Sequence, residues 1–333
     1  MPKTKTDIAK EYIEKYAEVY KRTQKQFSKR FVATVIYNEN PDVFTNVEDA
    51  RKFVRYSLGQ QGSRSADINK DFADRFAFIN EQITDTPHSE PFIMPKVNNK
   101  VLITNDWHSL FYDKRAVETS INYGIKQNCN AVLINGDFLD FYGYSRFSKN
   151  PKISSEFIQN EQEWGVEMLR LLQDTFGYVV YKQGNHDKRR EEQLFDLTAK
   201  HPEIIDACTL EDYLQYEGSN VRFVKDYQTV KLGKLNAIHG HEVGMSGGIN
   251  AARNIFLRTY ANTISGHSHI KQEQLIKDIN GDVHMSYKVG CLCQLDARYA
   301  IINQWTHGVA SVEIEQNGDF LVDNKIIHNG KIY

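Results

Sequence analysis

Five short segments of this 333-residue chain gather carboxylate, imidazole and amide side chains: Asp106-Trp107-His108, Gly136-Asp137-Phe138-Leu139-Asp140, Gly184-Asn185-His186-Asp187, His239-Gly240-His241 and Gly266-His267-Ser268-His269. They hold six of the eleven histidines, so the imidazoles are concentrated where the carboxylates are. Each segment alone reads as a turn, because Gly, Asp and Asn favour turns whatever their chemistry. Taken together and in this order, they read as a metal centre. Carboxylate oxygens and imidazole nitrogens suit divalent first-row transition ions. One bridging carboxylate can hold two such ions about 3.5–4 Å apart, lower the pKa of a water and clamp the oxygens of a phosphoryl group. Hydrolysis of phosphate esters most needs this help, because its uncatalysed rate is so slow.

Something must hold these segments at one place. Apolar runs precede them: VLIT at 101–104, AVLIN at 131–135, YVVYK at 178–182, LNAI at 235–238 and the segment at 261–265. Each run reads as a strand, and open α/β sheets collect ligands at the carboxyl ends of their strands. Helical patterns lie between them, around 114–128, 154–176, 188–200 and 248–258. This alternation predicts an α/β fold. The last fifty residues read as strands joined by turns, with Asn317-Gly318 a hairpin turn, so the sheet is expected to be mixed.

Pro87, Pro91 and Pro95 mark an extended linker over 86–98, which divides a helical module at 1–85 from a domain at 99–333. In the helical module, Ile8, Tyr12, Tyr16, Tyr20, Phe27 and Phe31 recur at helical spacing. Thr45 to Glu48 fits a capping box for a helix that Gly59 ends. A third helix is expected from Ser65, carrying Ile68, Phe72, Phe76 and Ile79.

Composition excludes other classes. With 41% hydrophobic and 25% charged residues, the chain is not a disordered one. No apolar run reaches the roughly 18–20 residues of a membrane helix, and the amino terminus lacks a secretory h-region. Four cysteines are too few for a disulfide framework, which points to the cytoplasm. Cys291 and Cys293 would share one face if their segment is a strand, and they read as buried structural residues rather than a zinc pair. A net charge of −2 does not itself point to nucleic acid or an anionic membrane.

The order DWH, GDFLD, GNHD, HGH, GHSH resembles the calcineurin-like metallophosphoesterase superfamily, over residues 106 to 269. The resemblance implies a four-layer αββα sandwich, two mixed β-sheets flanked by helices, here with an N-terminal helical extension. It implies a metal-dependent hydrolase of phosphate esters that attacks with a metal-bound hydroxide. The cofactor implied is two divalent ions, manganese first, with iron, zinc, nickel or magnesium as alternatives. By resemblance Asp106, His108 and His269 bind one ion, Asn185, His239 and His267 the other, and Asp137 bridges. His186 donates to the phosphate or protonates the leaving oxygen, and Asp140 orients it. His241 is read as a supporting or substrate residue.

Departures from the family pattern narrow the substrate. Phe141 stands where the protein phosphatases have Arg, and Asp187 where they have Glu. Asp140 stands where the DNA-repair nucleases have His, and an intact His186 argues against the lipid-precursor pyrophosphatases. GDFLDFYGYSRFSKNP, GNHDKRREEQLF and GCLCQLDARYAIINQWTHG resemble an uncharacterised phage and prophage branch. Arg146, Arg189 and Arg190 follow the metal segments, and their fork geometry suits phosphate. Residues 1–64 carry a balance of +5 and the remainder −7. KRTQKQFSKR, with the pieces Thr23–Phe31 and Thr45–Leu58, can be read as a helix-turn-helix variant that delivers nucleic acid, or as a helical extension that packs on protein. A phosphodiesterase acting on nucleic acid is the expectation. The alternatives are a small-nucleotide phosphomonoesterase and a nucleic-acid-binding or assembly protein with a vestigial metal site.

Overall fold

The apolar runs that precede the chemical segments become strands buried on both faces. In the computed structural model the described residues are 3–23, 28–59, 90–146, 151–198, 200–201, 209–244, 248–296 and 302–333. The chain divides into two units, Met1–Pro87 and His88–Tyr333.

In the first unit, helices α1 (Lys5–Thr23), α2 (Lys29–Glu39) and α3 (Val47–Ser57) enclose a small core. Ile8, Ala9, Ile13, Val32, Ala33, Ile36, Phe44, Ala50 and Val54 fill it. The expected stripe from Ile8 to Phe31 does not run on as one face. Ser28 caps α2 by accepting from Phe31 N, and the Phe31 side chain is 49% exposed. The cap of α3 is Asn46, which accepts from Asp49 N, rather than Thr45. Asn is the stronger N-cap, and Asp49 reaches back to Thr45 N at 3.1 Å, so the box is displaced by one residue. The expected helix from Ser65, and residues 24–27 of the Thr23–Phe31 piece, lie outside the described residues.

The second unit holds two sheets. Strands β1 (Phe92–Ile93), β2 (Lys100–Thr104), β3 (Ala131–Asn135), β4 (Val179–Lys182), β5 (Val221–Val224), β6 (Val230–Leu232), β7 (Leu235–Ile238), β8 (Thr263–Ser265), β9 (Gln272–Lys277), β10 (Val283–Lys288), β11 (His307–Ile314), β12 (Phe320–His328) and β13 (Lys331–Ile332) form them. One sheet has the order β13-β12-β11-β2-β3-β4-β5 and the other β1-β6-β7-β8-β10-β9. β2 to β5 are parallel, and β11 joins β2 antiparallel with Ala310 opposite Ile103. β7, β8 and β10 are parallel in the second sheet, so both sheets are mixed. Gly318 turns between β11 and β12 at φ +85°, a conformation that favours glycine. The segment expected as a linker is part of the fold at Phe92–Ile93, which pairs with Val230 and Lys231. Two residues of strand carry too little pattern to be told from a proline-rich connection.

Alternate residues serve two cores, because successive strand side chains point to opposite faces. Leu102, Val132, Ile134, Val179 and Tyr181 pack with Leu169, Leu172 and Phe176 of helix α5 (Pro151–Phe176), and with Ala116 and Val117 of α4 (Lys114–Lys126). Val101, Ile103, Ala131, Leu133 and Val180 meet Leu232, Leu235, Ala237, Ile264, Tyr287 and Val289 of the other sheet. A strand covered on both faces reads as an unbroken apolar run, which is why β2, β3 and β4 were plain in the sequence. Helices α6 (Arg189–Thr198) and α7 (Leu210–Leu214) link β4 to β5, and α8 (Ala251–Thr259) packs on β9 and β10. Among the described residues no helix is long and apolar enough to cross a membrane.

Leu133 is fully buried between the sheets. Leu133→Ala should cost about 2–5 kcal/mol of stability. All three tryptophans lie in the second unit, so urea unfolding followed by tryptophan fluorescence reads this loss there.

Candidate metal centre

Each chemical segment begins where its strand ends, and the backbone then turns sharply. Asp106, His108, Asp137, His267 and His269 all have positive φ, between 53° and 66°. L-residues avoid this region, although Asp and His tolerate it better than most, and each such residue costs on the order of 1–3 kcal/mol. The turns are held by bonds between segments. Asp106 N donates to Gly136 O, and Trp107 N and His108 N both donate to Asp137 O, at 2.9–3.0 Å. Three glycines are required by close approach. A Cβ on Gly136 would lie 2.2 Å from His239 Nδ1, one on Gly184 2.3 Å from Asp137 Oδ1, and one on Gly266 2.7 Å from Asp106 Oδ2.

The side chains meet in two lobes. In the first, His108 Nε2 is 3.3 Å from His269 Nε2, which is 3.3 Å from Asp106 Oδ1. In the second, His239 Nε2 is 3.1 Å from Asp137 Oδ2 and 3.8 Å from Asp106 Oδ1, and the His267 ring centre lies 5.2 Å from that of His239. Asp137, His239 and His267 bring ligand atoms within 4.8 Å of one another, as do His108, Asp137 and His186, and His108, His269 and Cys293. Asp137 thus borders both lobes.

These donors fit divalent ions. Asp106 Oδ1, Asn185 Oδ1 and His239 Nε2 are buried with no hydrogen-bond partner, a carboxylate, an amide and an imidazole atom respectively. His239 Nδ1 lies 2.8 Å from Asn135 O, so it must donate there, and Nε2 faces the Asp137 carboxylate with its lone pair or a proton. Either a proton on Nε2 or a cation between the two groups satisfies this contact. The charge balance agrees. Burial by itself lowers His239, but the Asp137 and Asp106 carboxylates outweigh it and raise it to about 10. Burial likewise lowers His269, and Asp106 carries it up to about 9. Burial holds His267 at about 4, with the neighbouring His239 charge adding to it. Burial raises Asp106 and Asp137, yet the surrounding imidazoles pull both well below the usual carboxylate range.

A second ring of groups holds the ligands. Asp140 Oδ1 accepts from His186 Nδ1 at 2.7 Å and from His108 Nδ1 at 2.9 Å, so it orients both imidazoles. Arg189 donates to Asp140 O at 2.9 Å and to His186 Nε2 at 2.8 Å. Burial holds His186 below its ordinary value. His241 lies beside the second lobe, its ring centre 5.4 Å from that of His239, with Nε2 3.7 Å from Asp226. Two of the arginines expected at the phosphate are elsewhere. Arg146 is 86% exposed and pairs with Glu192, and Arg190 lies over the Tyr213 ring.

Several residues were given no supporting role at the site from the sequence. Asp187 accepts from Asp137 N, Leu139 N, Gly184 N and Tyr181 Oη at 2.6–3.0 Å, tying the second segment to the third. Glu161, from the middle of α5, accepts from Asp140 N, Phe141 N and Ser109 Oγ. The fully buried Lys182 pairs with Glu242 at 3.0 Å, and Glu242 accepts from His239 N and Gly240 N. Cys293 Sγ lies 3.8 Å from His269 Nδ1, so this cysteine backs a ligand. Asp187 had a signal in its place in the GNHD string and Cys293 in its pairing with Cys291, whereas Glu161, Lys182 and Glu242 had none.

Residues 99–290 match the family model of the calcineurin-like phosphoesterases. Gene 54 protein of Mycobacterium phage L5 is 26% identical over 235 residues, covering 66% of this chain and 90% of that protein. Gene 54 protein of Mycobacterium phage D29 is 24% identical over 181 residues, covering 52% and 70%. Among solved structures, a single mutant of Vps29 from Entamoeba histolytica has a TM-score of 0.39 at 14% identity, covering 70% of this chain and 96% of that one. Yfce, a phosphoesterase from E. coli, has 0.33 at 14%, covering 68% and 97%.

Two outcomes are expected. Metal must displace the protons of His239 and His269, so Mn2+ binding should release protons and tighten as pH rises between about 6 and 8; calorimetry in buffers of different ionisation enthalpy counts them. Gly184→Ala pushes Asp137 out of place and should weaken Mn2+ about 10–100-fold in the same titration.

Proposed function

We propose that this chain, which belongs to the calcineurin-like phosphoesterase family, hydrolyses a phosphodiester at a two-metal centre, with nucleic acid as the leading substrate. The observation that carries the reading is the trio of buried ligand-type atoms, Asp106 Oδ1, Asn185 Oδ1 and His239 Nε2, that make no hydrogen bond. Asp106, His108 and His269 would hold one ion and Asn185, His239 and His267 the other, with Asp137 between them; manganese suits this mixed oxygen and nitrogen set. Bound there, such ions lower the pKa of a water and neutralise phosphoryl oxygens.

The chain's own residues do the rest. His186 keeps a proton on Nδ1 toward Asp140 and turns Nε2 toward Arg189, so the imidazole stays fixed beside the ligands. When the phosphate of a substrate draws the Arg189 guanidinium to itself, Nε2 is freed to take up a proton from solvent, and the resulting imidazolium, held by Asp140, gives that proton to the leaving oxygen. Arg189 therefore both binds phosphate and releases the acid. The balance of +5 over residues 1–64 favours a polyanionic diester over a small monoester. An intact Asp140–His186 pair at 2.7 Å speaks against a vestigial site, which needs no acid. The free thiols of Cys129, Cys291 and Cys293 suit action in a reducing cytoplasm, that of a host if the gene is a phage's.

The test is hydrolysis of bis-p-nitrophenyl phosphate and p-nitrophenyl phosphate by metal-stripped protein resupplied with Mn2+. Faster turnover of the diester is expected, and preference for the monoester would overturn the diester reading. His186→Ala should lower kcat about 10²–10⁴-fold with Mn2+ affinity unchanged. Arg189→Gln should raise KM more than it lowers kcat.

A further inference from the structure

The two lobes are walled differently. Around His239 and His267 stand charged groups that pair with one another: Lys188 with Asp226 at 2.8 Å, His241 with Asp226 at 3.7 Å and Lys182 with Glu242 at 3.0 Å. Around His108 and His269 stand aromatic rings as well as the Asp140–Arg189 pair. Trp305 packs edge-on against the His269 imidazole, their ring centres 4.2 Å apart. Phe111, on the turn just after His108, packs edge-on against Tyr142, on the turn just after Asp140, at 5.6 Å. The three rings are part-buried. Their segments are joined from behind. Trp305 N donates to Asn303 Oδ1, Thr306 N donates to His269 O, and Gln294 N donates to Phe111 O, at 2.8–2.9 Å.

A phosphate group has no apolar surface, so a tryptophan at this place does nothing for it. A planar group esterified to that phosphate gains a stacking partner. Stacking of a base on an aromatic side chain is tolerant of sequence, because every base has a π-face. We infer that Trp305 is a specificity-determining residue that receives a nucleobase of the substrate, with Phe111 and Tyr142 extending the aromatic wall. The ester is then nucleotide-like rather than aliphatic, and it enters with its base on the His269 side. This rests on the phosphoesterase reading of the same site.

Two measurements separate this inference from that reading. The first needs no turnover. Trp107 is fully buried and Trp164 packs against the helix-side core, so quenching by a stacked base reports Trp305. Titrating the full chain with thymidine 5′-monophosphate should quench tryptophan fluorescence, and deoxyribose 5-phosphate should not. Trp305→Phe should remove the quenching. The same quenching in Trp305→Phe, or none in the parent, would overturn the inference.

The second compares kcat/KM for thymidine 5′-p-nitrophenyl phosphate and methyl p-nitrophenyl phosphate, which release the same phenolate. Trp305→Ala should lower kcat/KM for the nucleotide ester about tenfold or more and leave the methyl ester within about twofold. Trp305→Phe should keep most of the activity, because it keeps an aromatic face. An equal fall on both esters would overturn the inference and make Trp305 a support for His269. Base-dependent quenching without hydrolysis of either ester would uphold the aromatic subsite and sink the phosphoesterase reading instead.

Discussion

Negative charge buried at the ends of parallel strands is the constraint to which the rest of the second unit answers. Asp106 and Asp137 are almost wholly removed from water, and Asp140 nearly so. An isolated buried carboxylate is costly, so each must be paired or coordinated. Imidazoles rather than lysines or arginines surround Asp106 and Asp137, and an imidazole can be a proton carrier or a metal ligand. That choice suits a metal site better than a salt-bridged core.

Holding it together requires strain and close approach, which only the sheets can sustain. Five proposed functional residues adopt left-handed backbone conformations, and three glycines leave room for ligand side chains. The apolar layers between the sheets and beneath α5 fix the strand ends. Asp187 and Glu161 then convert that rigidity into placed loops, each by accepting several backbone N–H groups. Burial pushes Asp187 up to about 6 and Glu161 up to about 7, and the donors around each favour its charged form. The mechanical support of the site is thus itself electrostatic.

The asymmetry of the walls complements the near-symmetry of the two lobes. Both lobes use Asp and His, and the same chemistry can serve either. The charged groups near His241 and the aromatic rings near Trp305 give the two lobes different surroundings.

The sequence by itself determined the class of chemistry and the strands that carry it. Runs such as AVLIN are apolar throughout because they are covered on both faces, and the segments after them carry ligand types that no core requires. Helices after these strands were legible from their spacing, because a face of fixed period must be buried. The tertiary structure alone decided which neighbours the ligands have. Arg146, close to Asp140 in sequence, points into solvent, whereas Glu161, twenty-one residues from Asp140, lies against its backbone. Asp140 serves His108 as well as His186, and Cys293 backs His269, through contacts between segments far apart in the chain. Spacing along a chain fixes what faces the same side of one element. Which buried donors meet which acceptors depends on how separate elements pack, and a single sequence does not encode those distances locally.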